Sequence, residues 1–385
     1  MTTCSRWHTL VAPSHLVALA LLAAACSDNP LAPAKPADPL ATAANVQALG
    51  TSFASPPFES FTFATTYVPT AASPLAALQP LLRAAQPTLV TRRALSPTES
   101  RLAATALHAA LVPSSGGIAA SIFPPAVVLG TTYTWNATTF QYEANDPAVL
   151  PGAPSNGVRF ILYALDLGGQ PIATQPIGYA DLMDESSGNA QTLHIRVVGT
   201  TSDPPVTYLD YTVSGTVGAT SASGAVVGFI SDGTQRLDFN VAIAQTTGSA
   251  TFDIRFDVNA TDSHVRLRMT LTAPDQNTLR LAIDFRLQFG TEVVTVRGTE
   301  TVDLVTLSTS GTVTVLVDGG IYATITETNG SLSFVGGGGQ DLTADDYTAL
   351  NAIFEAIGAT FTRFDALFAP AGSVGVCPGP RADAS

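Results

Sequence analysis

Charged residues are scarce in this chain. Of its 385 residues only 12% are charged, against a usual share of about 25%, and 46% are hydrophobic. This composition excludes a mostly disordered chain and a coiled coil. The 17 Lys and Arg against 30 Asp and Glu leave a net charge of −13. The chain therefore lacks the electrostatic basis for binding nucleic acid, and no nucleic-acid partner is expected.

Lysine, histidine and catalytic motifs are also rare or missing. The one lysine, Lys35, lies in a Pro/Ala-rich stretch, so Schiff-base chemistry has no credible residue. The five histidines include no HExxH motif, so no conventional zinc centre is expected. The GxSxG and GxxxxGK[ST] patterns do not occur either. The sequence thus predicts no cofactor and singles out no catalytic residue.

Residues 1–25 have the pattern of a secretory signal peptide. Arg6 precedes an apolar run over residues 16–25, which is too short to span a bilayer. The segment Leu-Ala-Ala-Ala-Cys that ends at Cys26 resembles the bacterial lipobox. That resemblance implies that the Cys26 thiol receives a diacylglyceryl group, that the leader is cut before it, and that further acylation, such as with palmitate, anchors the chain to a membrane. The alternative is an ordinary signal peptide that is cut near the same alanines.

The residues after Cys26 predict where the mature chain lies. Ser27, rather than Asp, follows the cysteine; by the same resemblance this favours the outer membrane over retention at the inner membrane, facing the periplasm, if the host is Gram-negative. Residues 26–57 are rich in Pro and Ala and read as a lipidated, partly extended tether. Residues 371–385 read as a flexible tail, and its Cys377 is the one other thiol outside the leader, so no intramolecular disulfide is predicted.

Residues 58–370 are expected to form a single β-rich domain. Its first part, residues 58–126, is mixed and partly helical. One helix is well signalled there, because Ser96 suits the N-cap, Pro97 the first helical position, and Glu99 the capping-box position.

Residues 127–335 alternate apolar and polar residues between short turns rich in Gly, Asn and Asp, which is typical of half-buried antiparallel strands. The sequence predicts a mainly β fold: a large antiparallel meander of about twelve strands, arranged as a curled sheet, a sandwich or a partly open barrel. The clearest apolar faces are Leu237, Phe239, Val241 and Ile243; Phe252, Ile254, Phe256 and Val258; Val265, Leu267, Met269 and Leu271; and Leu279, Leu281, Ile283, Phe285, Leu287 and Phe289.

A long amphipathic helix is predicted over residues 343–369. Thr343 and Asp346 have the spacing of a helix start, and Pro370 ends the pattern. Between them, apolar residues recur at intervals of 3, 4 and 7. We expect this helix to cover the apolar face of the sheet.

Three acidic residues and two histidines are candidate site residues. Asp181, Asp184 and Glu185 form the densest acidic cluster and are weak candidates for Ca²⁺ ligands, although their spacing differs from that of an EF-hand and also suits a solvated turn. His194 and His264 are candidates for acid–base catalysis, with ordinary exposed histidines as the alternative.

The polar sides of the best strands carry charges of both signs. They form either an anion-binding or partner surface, or a solvated sheet face whose cross-strand pairs fix the register. These residues are Asp253, Arg255, Asp257, Arg266, Arg268, Arg280, Asp284 and Arg286.

Together these observations predict an exported, non-catalytic, lipid-anchored cell-envelope protein. Its β-rich domain is expected to bind an apolar ligand or an envelope protein, or to have a structural role. Two alternatives remain: a membrane-spanning β-barrel whose charged rows line a lumen, and an envelope hydrolase whose carboxylates come from distant strands.

Overall fold

The computed structural model describes residues 60–61, 64, 74–82, 84, 97–113, 122–123, 125, 127–146, 150, 152–259, 262–306, 308–329 and 331–354. The leader, the tether with Cys26 and the tail lie outside these residues. Most of the described chain is β-strand. The fifteen strands are β1 Thr131–Asn136, β2 Gln141–Asn145, β3 Gly157–Leu165, β4 Pro171–Asp184, β5 Ala190–Gly199, β6 Val206–Val217, β7 Ser221–Ser231, β8 Arg236–Thr246, β9 Ser249–Val258, β10 Ser263–Asp275, β11 Thr278–Phe289, β12 Glu292–Asp303, β13 Thr309–Val317, β14 Gly320–Thr328 and β15 Ser331–Gly336.

These strands form one sheet that follows the chain order almost throughout. From β15 back to β3 each strand pairs with its sequence neighbour, and all these pairs are antiparallel. At the other end β1 lies between β2 and β3 and runs parallel to β3, so the sheet is mixed. The sheet is not closed, and β2 and β15 are its edges.

The predicted mainly β meander is confirmed, with two corrections. The described residues form fifteen strands rather than about twelve; β1, β2 and β15 have only five or six residues, too few to give a clear alternation. Of the predicted arrangements the structure has the single sheet, since all fifteen strands belong to one sheet that is not closed. The parallel pair β1–β3 was not expected, because hairpin-like turns predict antiparallel neighbours only.

The alternation of apolar residues divides the sheet into two faces. In β8, β9 and β10 nearly every second side chain is buried, and we call this side the inner face. The four apolar inward side chains of β8 contribute roughly 6–12 kcal/mol if their burial is complete. In β11, Phe285 and Leu287 are fully buried, whereas Leu281, Ile283 and Phe289 are only partly buried. The predicted apolar face of β11 is therefore only partly shielded from solvent.

The N-terminal part of the domain packs on the inner face, which sequence reasoning did not anticipate. A 3-10 turn, Ala76–Leu78, lies against β6 and β7, where two glycines make room for it. A Cβ atom at Gly215 would lie 1.8 Å from the carbonyl oxygen of Pro74, and one at Gly224 would lie 2.3 Å from Leu75 Cδ2. The missing side chains thus allow this segment to approach the sheet closely.

Helix α1, Pro97–Ala110, starts at the predicted Pro97. It contacts the end of the sheet at which β8 ends, β9 begins and β10 ends. Gln245 Nε2 donates a hydrogen bond to the carbonyl of Ala110 at 2.8 Å. His108 Nε2 lies 3.0 Å from the carbonyl oxygen of Asp275, to which its N–H donates. Leu107 and Leu111 are buried, so the helix contributes to the core.

The predicted C-terminal helix is described only at its beginning, as helix α2 over residues 344–354; residues 355–369 lie outside the described residues. Its expected start is confirmed, since Thr343 and Asp346 hydrogen-bond to each other reciprocally. The Tyr322 hydroxyl on β14 donates to Asp346 Oδ1 at 3.1 Å and fixes this start to the sheet. Its buried side chains are Ala349, Leu350 and Ile353.

The close approach at Gly215 gives a stability prediction. We expect Gly215→Ala to lower the free energy of unfolding by about 2–3 kcal/mol, because the added methyl group overlaps a backbone carbonyl that cannot rotate away. Chemical denaturation measures the change. Gly168→Ala is the control: its methyl group would lie 3.2 Å from Asp166 Oδ1 in an exposed turn and would meet no backbone atom, so we expect a loss below about 1 kcal/mol. Equal stability of the two variants would contradict this packing.

Candidate functional site

The side of the sheet opposite the core, which we call the outer face, carries the polar and charged side chains. It consists of the residues that alternate with the buried ones, such as Asp253 and Arg255 in β9 and Arg266 and Arg268 in β10. Since neighbouring strands are in register, these residues form rows that run across the sheet. The candidate residues of the sequence analysis belong to this face or to the turns beside it.

Asp181 is held by an arginine that the sequence analysis did not connect with it. Arg159 on β3 donates from both Nε and a terminal nitrogen to the two carboxylate oxygens of Asp181, at 2.7 and 2.8 Å. The guanidinium carbon also lies 3.8 Å from the centre of the Tyr179 ring. Asp181 is 5% exposed, so both of its oxygens are committed to this bidentate pair.

Asp184 and Glu185 point to different partners from Asp181. Asp184 Oδ1 accepts a hydrogen bond from the Ser186 N–H at 2.9 Å, and Oδ2 accepts one from the Ile122 N–H at 3.4 Å. Glu185 instead pairs with His194. The three carboxylates do not converge, and within the described residues no group of three or more His, Cys, Asp or Glu side chains is placed to hold a metal ion.

His194 lies between two carboxylates. Its Nδ1 is 2.9 Å from Glu185 Oε1 and its Nε2 is 2.8 Å from Asp210 Oδ1. A neutral imidazole has one N–H, so only the protonated ring donates to both partners. Burial alone would lower the pKa of His194, but the hydrogen bonds and charges of Asp210 and Glu185 outweigh it, and the pKa is raised above its usual value.

Across β3 to β6, charges of opposite sign stand directly opposite one another. The register places Arg159 beside Asp181, Asp181 beside Arg196, and Arg196 beside Asp210. Opposite charges at such positions stabilise strand pairs by a few tenths of a kcal/mol and so add to the register that the buried residues determine. This row therefore has a structural explanation.

Across β9 to β11 the arrangement differs, because three arginines stand in one row. Arg255 is directly opposite Arg266, and Arg266 is directly opposite Arg286. Asp253 accepts hydrogen bonds from Arg255 and Arg266, both at 3.2 Å, while Arg286 donates to Gln288. Burial acts to raise the pKa of Asp253, but the two arginines outweigh it and lower that pKa.

The next row along these strands alternates in sign. It runs from Asp253 through Arg268 and Asp284 to Arg297, and Arg297 lies 3.2 Å from Asp284. Neither Arg268 nor Arg280 has a carboxylate within 4.0 Å among the residues that the structure describes. We call the outer-face arginines of β9 to β12 the arginine surface: Arg255, Arg266, Arg268, Arg280, Arg286 and Arg297.

Two open hollows lie on the outer face. One, of about 320 Å³, lies over β5 to β9 and is lined mainly by Ala, Ser, Thr and Gly residues. The other, of about 330 Å³, lies beside the arginine surface, and we call it the threonine hollow. It is lined by Thr270, Thr272, Arg280, Leu281, Ala282, Thr299, Glu300 and Thr301.

His264, the second histidine candidate, sits at the turn between β9 and β10. Its Nδ1 is 2.5 Å from Asp257 Oδ1 and its Nε2 is 3.3 Å from Asp262 Oδ1. The hydrogen bond that His264 donates to Asp257 is the largest influence and raises the pKa of His264, although burial opposes this. As with His194, both ring nitrogens face carboxylates, and neither faces a hydroxyl or thiol nucleophile.

Sequence reasoning placed the charged residues of β9 to β11 on the polar face and considered cross-strand pairs among them, but it did not identify the charged residues that pair across β3 to β6. Arg159, Asp210 and Arg196 each alternate with apolar neighbours, which was a usable signal. Their partners depend on the strand register, which alternation within a single strand does not define.

Comparison of the chain with protein-family models, with curated proteins and with solved structures finds no match. Within the described ranges, no helix combines the length and the apolar character needed to cross a membrane. Cys26, the predicted lipid attachment site, lies outside the described residues. The function therefore has to be argued from the chain's own sequence and surfaces.

The position of His194 predicts a pH-dependent stability. Because its pKa is higher in the folded protein, its contacts stabilise fully below the unfolded pKa of about 6.5, and this stabilisation is lost as the pH rises through the folded pKa. We expect His194→Gln to lower the free energy of unfolding by about 1 kcal/mol near pH 5.5 and by clearly less near pH 9.

Denaturation of both proteins at the two pH values measures this difference. His264→Gln is the comparison variant, since the His264 side chain is 47% exposed and its contacts should contribute less. An equal loss of stability at both pH values in His194→Gln would show that the charge of the ring is not involved.

Proposed function

We propose that this chain is a non-catalytic, lipid-anchored protein of the cell envelope that binds its partner on the outer face of the sheet. The observation that carries the proposal is the division between the two faces. The inner face consists of closely packed apolar residues, and the outer face presents a basic surface on a chain with a net charge of −13. Such a difference in charge between a surface and its protein favours an acidic partner.

The packing of the inner face supports binding elsewhere than in the core. Phe160, Phe252 and Phe285 are each 0% exposed and belong to one continuous cluster that includes residues of β1 to β14 and of both helices. An apolar ligand would have to displace these side chains, and removing one large side chain from a core costs about 3–5 kcal/mol. The apolar-ligand version of the prediction is therefore less favoured than the partner-binding version.

The contacts of the two histidines support a non-catalytic role. A histidine that acts as a general base needs one nitrogen directed at a nucleophile or at substrate. His194 and His264 have both nitrogens next to carboxylates, which suits cross-strand stabilisation instead. The envelope hydrolase stays an untested alternative, for which Asp181, Asp184 and His194 are the residues to replace.

The anchoring part of the proposal rests on the sequence. Cys26 follows three alanines, and the tether after it has no apolar period. At about 3 Å per residue when extended, a tether of this length holds the sheet several tens of ångströms from the lipid. The outer face would then be free to meet large components of the envelope.

Metabolic labelling with palmitate tests the anchor. We expect the wild-type chain to incorporate label and to fractionate with membranes, and Cys26→Ser to lose both properties, because the acyl chains need this thiol. The other two cysteines provide matched controls: Cys4→Ser and Cys377→Ser should both keep the label. Label retained by Cys26→Ser would overturn the proposed attachment site.

Extraction of bound lipid tests where binding occurs. The Cys26→Ser protein, which would carry no acyl chains of its own, should release no lipid in stoichiometric amounts into organic solvent, because its core is already filled. Mass spectrometry of the extract is the measurement. One lipid molecule per chain would move the binding site to the inner face.

A further inference from the structure

We propose that the arginine surface and the threonine hollow together bind an acidic polysaccharide. The proposal rests on the proposed function and names the class of partner that the outer face would take. Six of the sixteen arginines of the chain lie on the outer face of β9 to β12, against five aspartates: Asp253, Asp257 and Asp284 along the strands, and Asp275 and Asp303 at the ends of β10 and β12. The local excess of positive charge is concentrated in the row of Arg255, Arg266 and Arg286, and on an acidic protein it complements a chain of negative charges.

The arginine row is not explained by the stability of the sheet. Like charges directly opposite one another destabilise a strand pair, yet Arg255, Arg266 and Arg286 stand in line. One carboxylate, Asp253, accepts hydrogen bonds from two of them, and the third bonds to the neutral Gln288. By contrast, the row across β3 to β6 alternates in sign. The arginine row therefore has the properties expected of a binding surface, and not those of charge pairs that stabilise the strand register.

The spacing of the arginines suits a repeating anion. Neighbouring strands lie about 4.8 Å apart, and alternate residues along one strand lie roughly 6.7 Å apart. Arg266 and Arg268 on one strand, with Arg286 and Arg297 on the next two, therefore present several cations at regular distances, with Asp253 and Asp284 on either side of Arg268. Each guanidinium can bind a carboxylate through two parallel hydrogen bonds. A linear polymer with a carboxylate on each unit would engage several of them at once.

The threonine hollow provides contacts for sugar hydroxyls beside these charges. Thr270, Thr272, Thr299 and Thr301 line it, and each hydroxyl both donates and accepts a hydrogen bond. Arg280 lies within the hollow, directly between Thr272 and Thr301 in the register. Glu300 also borders it but belongs to the buried positions of β12 and is 6% exposed. A sugar ring in the hollow would have hydroxyl partners and one guanidinium for its acidic group.

The outer face of β9 to β12 lacks the side chains that other polyanions use. It carries no Phe, Tyr or Trp on which the bases of a single-stranded nucleic acid would stack. It also has no large aromatic side chain to insert between lipid headgroups, as membrane-binding surfaces do. Hydroxyls and guanidinium groups without aromatic rings favour a hydrophilic, acidic glycan.

Titration of the purified full chain in detergent with polygalacturonate, a linear polyuronate, tests the proposal by calorimetry. We expect binding that weakens at least tenfold when NaCl rises from about 50 to 500 mM, and no binding to the neutral glycan dextran. The triple variant Arg266→Thr/Arg268→Thr/Arg286→Thr should bind at least tenfold more weakly. Its thermal midpoint should change by only a few degrees, because the loss of the opposed like charges offsets the loss of the Arg266–Asp253 hydrogen bond.

Two further single variants test the proposal independently of the triple variant. Arg280→Thr changes the one arginine of the surface that lies in the hollow and should also weaken binding at least threefold, even if the triple variant fails to fold. Arg196→Thr makes the same charge change on the outer face of β5, four strands from β9, and should change the affinity by less than twofold. Equal affinity of the wild type and the folded arginine variants would overturn the proposal.

The identity of the partner is tested with two other probes. Vesicles of phosphatidylglycerol and a single-stranded DNA oligonucleotide should bind at least tenfold more weakly than the polyuronate at equal salt. Arginine-dependent binding of either probe with equal or greater affinity would overturn the glycan assignment. Failure of all three probes would remove this inference but leave the proposed function testable, because palmitate labelling and lipid extraction do not depend on the arginine surface.

Discussion

The removal of one face of the sheet from water is the constraint on which the rest of this structure depends. Each buried Phe or Leu contributes about 1.5–3 kcal/mol, and strands β8 to β10 direct nearly every second side chain into the core. A shift of one residue in any strand would expose its whole apolar set. The register is therefore determined by the inner face. The packing at Gly215 serves the same purpose. Because Gly215 has no side chain, the segment at Pro74 can pack directly on the strand and shield the neighbouring apolar side chains from water.

The charges of the outer face are placed by this register rather than chosen by their mutual attraction. A cross-strand charge pair changes stability by only a few tenths of a kcal/mol, which is far less than the burial of one phenylalanine. The fold can therefore hold Arg255 opposite Arg266 as readily as Asp181 opposite Arg196. Because the inner face determines the fold, the charges on the outer face are not fixed by folding, and their pattern is informative about binding.

Much of the fold was predictable from local patterns, and the rest depended on contacts between distant residues. The alternation from Leu237 to Ile243 predicted β8, and the Thr343 and Asp346 spacing predicted the start of α2. The short strands β1 and β2, the parallel pairing of β1 with β3, and the N-terminal cover were missed. The segment at Pro74 reaches the sheet through glycines about 140 residues further along the chain, and no local pattern marks such a contact. The same limit applied to the site, where His194 was singled out but Asp210, its partner on the next strand, was not.

The two charged regions of the outer face differ in the role that we infer for them: one stabilises the sheet through charge pairs, and the other binds the partner. In the row that contains Asp181, each charge is neutralised by its neighbour, and both oxygens of the carboxylate are used within the protein. In the row that contains Arg266, the guanidinium groups exceed the carboxylates beside them, so part of their hydrogen-bonding capacity is directed to solvent. An arrangement that brings like charges together opposes folding and persists only because core burial outweighs it. An anion bound there would neutralise the excess charge and relieve the repulsion, so ligand binding and the stability of these strands should be coupled.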